Sequence, residues 1–205
     1  MTTETSAIVY VVDDDEAIRD SLQLLLRSVG LKSAVFESAA EFLDSFDPSA
    51  HACLLADIRM PGMSGLELQA ELNERHVELP TIFITGHGDV PMAVKAMKSG
   101  AVDFIQKPFR DQDLIDRIHE ALQMDSERSE SRQQQIDIRK RIESLTPRET
   151  EVMHKVVEGC ANKVIALDLG VSQRTVELHR ARVMHKMNVR SLADLVRIVG
   201  LIGQE

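Results

Sequence analysis

The chain has 205 residues, of which 43% are hydrophobic and 28% charged, and its formal net charge is −9. This balance excludes a disordered or collagen-like chain, and no apolar run approaches the roughly 20 residues needed to cross a bilayer. Residues 1–6 lack the basic start and apolar core of a signal peptide. We therefore expect a globular protein of the cytoplasm, with no membrane contact.

The charge is unevenly distributed along the chain. Residues 144–205 hold nine Lys and Arg against seven Asp and Glu, whereas the remaining residues hold 15 against 26. This asymmetry predicts two domains, with a cation site in the acidic part and a polyanion partner for the other. Two differently solvated surfaces are the plainer alternative. Cys53 and Cys160 have no His or Cys at metal spacing nearby and are expected to be buried thiols.

Short apolar runs alternate with amphipathic stretches in the first part of the chain. The runs predict strands over residues 8–12, 33–36, 81–85 and 102–105, and a third strand within residues 51–62 that ends at Asp57. Each is followed by a helical pattern, the last of them over residues 114–122. Five such pairs predict an α/β domain with a five-stranded parallel sheet, helices on both faces and the flavodoxin-like (βα)5 order.

The composition changes at residue 124. Residues 124–143 are rich in Ser, Gln, Glu and Arg, which predicts a linker that is either unstructured or a solvent-exposed helix. Four short helices are predicted beyond it, over residues 147–158, 163–169, 173–187 and 192–199. We thus expect an all-α domain over residues 144–205, after a first domain over residues 1–123. A tight turn joins the second and third of these helices, as in a helix-turn-helix.

Carboxylates follow two strands that are neighbours in the predicted sheet. Asp13 and Asp14 follow the first, and Asp57 ends the third. An isolated Asp before a turn is usually a cap, but three converging carboxylates repel unless a cation such as Mg²⁺ joins them. The fourth strand ends in Thr85 and the fifth leads to Lys107. These groups together predict a phosphoryl-transfer site with Asp57 as nucleophile.

This set of residues resembles the receiver domain of bacterial two-component response regulators. The motifs that match are Asp13-Asp14, Asp57-Ile-Arg-Met-Pro-Gly, Thr85-Gly and Lys107-Pro108. The resemblance implies that Asp57 accepts a phosphoryl group from a partner histidine kinase. It also implies that Asp14, Asp57 and the backbone carbonyl of Arg59 bind Mg²⁺, with Asp13 acting through a water. Lys107 would pair with the phosphoryl oxygens, and the Lys107–Pro108 bond would be cis.

The sequence from Thr85 to Lys98 narrows the resemblance to the FixJ-like branch. In receivers a Thr and an aromatic residue shift together on activation, and Thr85 and Phe104 stand at those positions; the alternative for Phe104 is a plain core residue. Phosphorylation in this branch is associated with dimerisation, here through residues 90–105. Arg59 and His87 stand where receivers vary the phosphate lifetime.

The segment from residue 145 to 195 resembles the LuxR-type helix-turn-helix. The match is carried by Leu145-Thr-x-Arg-Glu, Asn162-Lys163 and Ser172-x-x-Thr175-Val176-x-x-His179. It implies that Lys163, Arg174, Thr175 and His179 contact DNA phosphates while Glu177, Leu178 and Ala181 face base edges in the major groove. Arg180, Arg182 and Lys186 are further cations suited to phosphate.

We therefore expect a transcriptional response regulator in which phosphorylation of Asp57 promotes homodimerisation and binding to double-stranded promoter DNA, with RNA polymerase as a further partner. Activation by relief of inhibition and activation by dimerisation alone both remain open. A Mg²⁺-dependent phosphohydrolase is the rival from another class, since Asp13-x-Asp15 follows a strand, but Ala17 stands where its motif requires Thr or Val. Phosphorylation-independent DNA binding is a third possibility.

Overall fold

The structure is a computed structural model that describes residues 7–86 and 90–202. The chain divides into two compact units, Met1–Ser129 and Glu130–Glu205. Within the described ranges, every helix is too short or too polar to cross a membrane.

The first unit contains a parallel sheet of five strands. These are β1 (Ile8–Val12), β2 (Lys32–Phe36), β3 (Ala52–Asp57), β4 (Thr81–Thr85) and β5 (Asp103–Gln106). Their order across the sheet is β2-β1-β3-β4-β5, and all neighbours are parallel. The predicted flavodoxin-like order is confirmed. Its consequence is that β1 and β3 lie side by side at the centre of the sheet, where their carboxyl ends meet.

Helices cover both faces of this sheet, because alternate strand residues point in opposite directions. They are α1 (Glu16–Ser28), α2 (Ala39–Ser45), α3 (Gly65–Glu74), α4 (Val90–Lys98) and α5 (Asp111–Glu143). On one face, apolar residues of α2, α3 and α4 pack on Tyr10, Leu54 and Phe83. On the other, residues of α1 and α5 pack on Val11 and Leu55. The central strands are therefore buried on both sides and read as continuous apolar runs.

Side chains of the turns fix where the helices begin. The Asp15 carboxylate accepts from the Ala17 amide at 2.9 Å and caps α1, and Ser38 caps α2. Ser64 and Glu67 form a capping box at α3. Gly65, which follows Ser64, is the first residue of α3 and lies against the end of β3. Its amide donates to the Ile58 carbonyl at 3.0 Å.

Helix α5 is 33 residues long and includes the whole segment predicted as a linker. Of the two alternatives for that segment, the structure shows the helix. Near the start of residues 124–143, one Asp125 carboxylate oxygen accepts from the Ala52 amide at 3.1 Å and lies 2.7 Å from Nδ1 of His51. Near the end of the same segment, Ile138 is buried in the core of the second unit. Specific contacts therefore hold a segment whose composition predicts no packed face.

The second unit is all-α, as predicted. Beyond the end of α5 it contains α6 (Pro147–Val157), α7 (Asn162–Leu169), α8 (Gln173–Lys186) and α9 (Leu192–Gly200). Its core combines Val152 and Met153 of α6 with Ile165 of α7 and Val176 and Val183 of α8. Thr146 and Glu149 form a capping box at α6, with Pro147 in the first turn. Gly170 in the left-handed conformation, with φ of 67°, ends α7 and makes the tight turn to α8.

Replacing Gly65 by Ala should destabilise the first unit by about 2 kcal/mol. A Cβ at this position would lie 2.3 Å from the carbonyl oxygen of Asp57, which outweighs the gain of about 1 kcal/mol that alanine brings to a helix. Urea unfolding followed by circular dichroism measures the loss. Gly86→Ala is the control, since a Cβ there meets nothing within 4 Å; equal stabilities of the two variants would contradict the prediction.

Candidate functional site

Two carboxylates lie side by side where the central strands end. Val12 of β1 is paired with Ala56 of β3, so the residues that follow them, Asp13 and Asp57, are neighbours at the same sheet edge. Both residues are buried, with exposed fractions of 3% and 9%. Two carboxylates that are buried as neighbours require a compensating positive charge.

Lys107 supplies that charge. Its Nζ lies 2.8 Å from Oδ2 of Asp13 and 3.5 Å from Oδ1 of Asp57. The Lys107 backbone amide donates to the carbonyl of Thr85 at 2.8 Å, which aligns the loop after β5 with the end of β4. The Lys107–Pro108 peptide bond is cis, as the resemblance to receivers implied.

The environment of Asp57 stabilises its charged form less well than water does. Burial raises the pKa of this carboxyl above its ordinary value, and the charge of Asp13 acts in the same direction. The Arg59 amide, which donates to Oδ2 of Asp57 at 2.7 Å, and the Lys107 ammonium lower the pKa in part. Both carboxylate oxygens therefore have fixed donors, and the remaining cost of burying the charge is not compensated.

Asp14 differs from Asp13 in its exposure and in its contacts. Asp13 is held by Lys107 and by the Asp15 amide, at 3.0 Å, whereas Asp14 is exposed. Among the described residues, no group of three or more His, Cys, Asp and Glu side chains could hold a metal ion. The sequence-based expectation that Asp13, Asp14 and Asp57 converge as one three-carboxylate cluster is therefore not met in this structure.

Thr85 and Phe104 occupy adjacent strands with their side chains on one face of the sheet. Thr85 is buried at the end of β4, one residue beyond Ile84, the partner of Asp57. Phe104 of β5 is paired with Phe83, two residues before Thr85, and packs against the same core while remaining half-buried. His87, the other variable position predicted near the site, lies outside the described residues.

Asp15, the second Asp of the phosphohydrolase pattern, is exposed, and one of its carboxylate oxygens caps α1. Sequence reasoning missed Arg19, whose guanidinium donates to the carbonyl of Asp13 at 2.7 Å and ties α1 to the site. The periodicity of the sequence does not predict such a contact, because it depends on how α1 packs against the end of β1.

Helix α8 carries most of the residues predicted to bind DNA. Arg174, Glu177, Leu178 and Ala181 are exposed, while Val176 and Val183 are buried on the opposite side. The Ser172 hydroxyl accepts from the Thr175 amide at 3.1 Å and caps the helix. Lys163 is exposed on α7. His179 is half-buried, and its Nδ1 is buried without a hydrogen-bond partner among the described residues.

Two of the cations predicted to suit phosphate have partners within the chain. Lys186 Nζ donates to the buried Glu149 carboxylate at 2.7 Å and to the Ser144 carbonyl at 2.9 Å. Its charge joins α8 to the start of α6, and its contact with a phosphate stays a prediction. Arg180 donates to Oδ1 of Asn162 at 2.6 Å, which links α8 to the first residue of α7.

Comparison with known proteins decides the family. Residues 9–119 match the response regulator receiver domain, and residues 143–199 match the bacterial regulatory proteins of the luxR family. The chain belongs to the response regulators. The sequence-based assignment is thereby confirmed, and the regulator has a receiver domain and a LuxR-type DNA-binding domain.

Relatives of this regulator match it over nearly their whole length. It is 49% identical over 199 residues to Nodulation protein W of Bradyrhizobium diazoefficiens, covering 97% of this chain and 88% of the relative. It is 49% identical over 195 residues to the transcriptional regulatory protein FixJ of Azorhizobium caulinodans, covering 95% and 92%. The second of these relatives is named as a transcriptional regulatory protein.

Solved structures agree with this assignment. The response regulator StyR is 46% identical, with a TM-score of 0.87 over 95% of this chain and 98% of that one. Full-length FixJ from B. japonicum is 43% identical, with a TM-score of 0.57 over 97% and 98%. Receiver domains of this family typically bind Mg²⁺ at their acidic pocket.

Asp57→Asn should stabilise the receiver by about 1 kcal/mol at neutral pH. Because the fold raises the Asp57 pKa, the contribution of this group to stability is complete below its ordinary pKa of 3.8 and is lost as the pH rises through the folded pKa. Thermal unfolding between pH 4 and 8 should show the variant gaining on the wild type as the pH rises. If the advantage of the variant in stability over the wild type became smaller as the pH rises, the raised pKa of Asp57 would be refuted.

Glu149→Gln should weaken the DNA-binding unit by about 1.5 kcal/mol at pH 7. Lys186, followed by the Thr146 amide, lowers the pKa of Glu149 from 4.5 to about 2. The stabilisation is therefore present above pH 4.5 and lost as the pH falls towards 2. Calorimetric unfolding across this window tests it, with Glu151→Gln as control because that acid forms an exposed ion pair with Arg148. A control that costs as much as Glu149→Gln would contradict the prediction.

Proposed function

We propose that Asp57 accepts a phosphoryl group from a separate histidine kinase and that this modification controls promoter binding. The observation that supports it most directly is the pairing of the Asp57 carboxylate with the Lys107 ammonium at a buried strand end beside Asp13. A nucleophile, a cation and an adjacent acid at one sheet edge are the parts that phosphoryl transfer to a carboxylate requires.

Fixed donors orient the nucleophile. The Arg59 amide holds Oδ2 of Asp57, so Oδ1, on the side of Lys107, is the oxygen that forms the new bond to phosphorus as the bond to the histidine nitrogen of the kinase breaks. Lys107 and the Thr85 hydroxyl would then neutralise the phosphoryl oxygens. In this proposal Lys107 exchanges its bond to Asp13 for one to the phosphoryl group.

The donor set also fits Mg²⁺. Asp57, Asp13 and the Arg59 carbonyl are hard oxygen ligands, and a Mg²⁺ site needs only one or two carboxylates beside water molecules and phosphate. Asp14 is exposed, and its carboxylate has no hydrogen-bond or ion-pair partner in the described part of the chain. We assign Asp14, Asp57 and the Arg59 carbonyl to the metal directly and Asp13 through a water; the ion would supply charge neutralisation when bound.

We infer that the signal leaves the site through Thr85 and Phe104. Their side chains lie on one face of adjacent strands, so a movement of Thr85 towards a phosphoryl group opens space beside the half-buried ring. Helix α4 lies next to β5 and exposes Val90, Val94 and Met97, at spacings of four and three residues. Such an apolar stripe suits a homodimer interface, which would bring two α8 helices to adjacent DNA half-sites.

The proposed functional division keeps residues 1–123 as the receiver, 124–143 as the linker and 144–205 as the DNA-binding domain. Exposed Lys163, Arg174 and Arg182 would contact phosphates, and RNA polymerase would be the further partner at the promoter. Relief of inhibition and dimerisation alone both remain compatible with this scheme.

Asp57→Asn should abolish dimerisation driven by a small phosphodonor. The amide cannot form the acyl phosphate, whereas the Arg59 contact and the fold are kept. Sedimentation with and without acetyl phosphate and Mg²⁺ measures the effect, and Asp20→Asn, an exposed acid on α1, is the matched control that should dimerise as the wild type does. Phosphodonor-driven dimerisation of the Asp57→Asn protein would overturn the proposal. Continuous turnover of a phosphate ester by the wild type would favour the hydrolase.

A further inference from the structure

The outward face of α8 combines residue types unusual for a surface that meets a polyanion. Four exposed residues, Arg174, Leu178, Ala181 and His185, follow one another at spacings of four, three and four. They form the stripe opposite buried Val176 and Val183, and Leu178 is its apolar member beside Ala181. Glu177 is exposed beside this stripe. Only Arg174 and His185 are suited to phosphate.

Glu177 has no structural task in the described chain. Its carboxylate has no hydrogen-bond or ion-pair partner among the described residues, although Arg174 and Arg180 are on the same helix. A free carboxylate lowers the affinity for any polyanion. Only a hydrogen-bond donor on the partner can compensate for that loss of affinity. Phosphates offer no such donor.

Base edges in the major groove do offer donors, and they differ between bases. Guanine and thymine present acceptors to a carboxylate, and adenine presents its N6 donor beside the N7 acceptor. Cytosine alone presents the N4 amino group without an adjacent acceptor. An ionised Glu, which can only accept, therefore selects cytosine and disfavours the other three bases.

Leu178 can contact an apolar partner. A single exposed leucine is ordinary on a protein surface, but this side chain is 51% exposed within the stripe that, in the proposed function, faces the groove. The 5-methyl group of thymine is the one apolar group that projects into the major groove. The side chain of Ala181, one turn further along α8, is small and leaves room for Leu178 to approach the thymine methyl group.

We propose that Glu177 and Leu178 are specificity-determining residues, which read a cytosine amino group and a thymine methyl group within each half-site. This inference rests on the proposed function, because it names the bases that the same DNA-binding helix selects. The cations of α7 and α8 supply affinity without sequence preference, and these two residues supply the preference.

The test is parallel selection from a duplex library with 20 randomised base pairs, using the full-length protein treated with acetyl phosphate. The wild-type consensus should contain a cytosine whose replacement weakens binding at least about fivefold. Glu177→Gln should shift that position to adenine, since a glutamine amide pairs with both N6 and N7. A consensus without a fixed cytosine, or one unchanged by Glu177→Gln, would overturn the assignment of Glu177.

Deoxyuridine in place of the selected thymine isolates the methyl contact. The wild type should lose about fourfold in affinity when that methyl is removed. Leu178→Ala should bind the thymine and deoxyuridine duplexes equally. A Leu178→Ala protein that loses as much as the wild type would overturn the assignment of Leu178.

Arg174→Ala separates this inference from the proposed function. It should weaken binding to all sequences alike, lower the salt dependence by about one phosphate contact and leave the consensus unchanged. If the wild type enriches no sequence and binds no duplex, DNA binding and the inference fail together. If it binds duplexes without any preference at these positions, only the inference fails.

Discussion

The attraction between the Lys107 ammonium and two buried carboxylates organises the receiver. Asp13 and Asp57 end neighbouring strands, and each would be unstable there without the charge that the loop after β5 delivers. The same loop is bonded through the Lys107 amide to the end of β4, so three strand ends are tied to one cation. A site held in this way is sensitive to charge, because any anion added at Asp57 competes for the ammonium.

The surrounding fold gives this site its precision at a cost in stability. Gly65 lets α3 start in contact with the end of β3, where a larger residue would displace the Asp57 carbonyl. Burial raises the Asp57 pKa, which means that the folded receiver stabilises the charged carboxylate less well than water does. Carboxyl groups with perturbed pKa values are common at functional sites, where stability is often below its possible maximum.

The DNA-binding unit separates structural and surface-facing charges on a single helix. Lys186 of α8 bonds to Glu149, and Arg180 of α8 bonds to Asn162. These bonds fix α8 against α6 and α7. The remaining exposed residues of α8 are therefore presented on a rigid support. Only the tertiary structure shows the partners that give these two basic side chains a structural role.

The sequence by itself determined the alternation of strands and helices, the sheet order and the positions of Asp57, Thr85 and Lys107, because these follow from local periodicity and from the strand ends that a parallel sheet brings together. Only the tertiary structure decided that Asp13 rather than Asp14 pairs with Lys107, that the polar segment after residue 123 is a helix fixed through Asp125, and that Lys186 faces Glu149. Those choices depend on how side chains distant in sequence meet once helices pack, which neither spacing nor composition records.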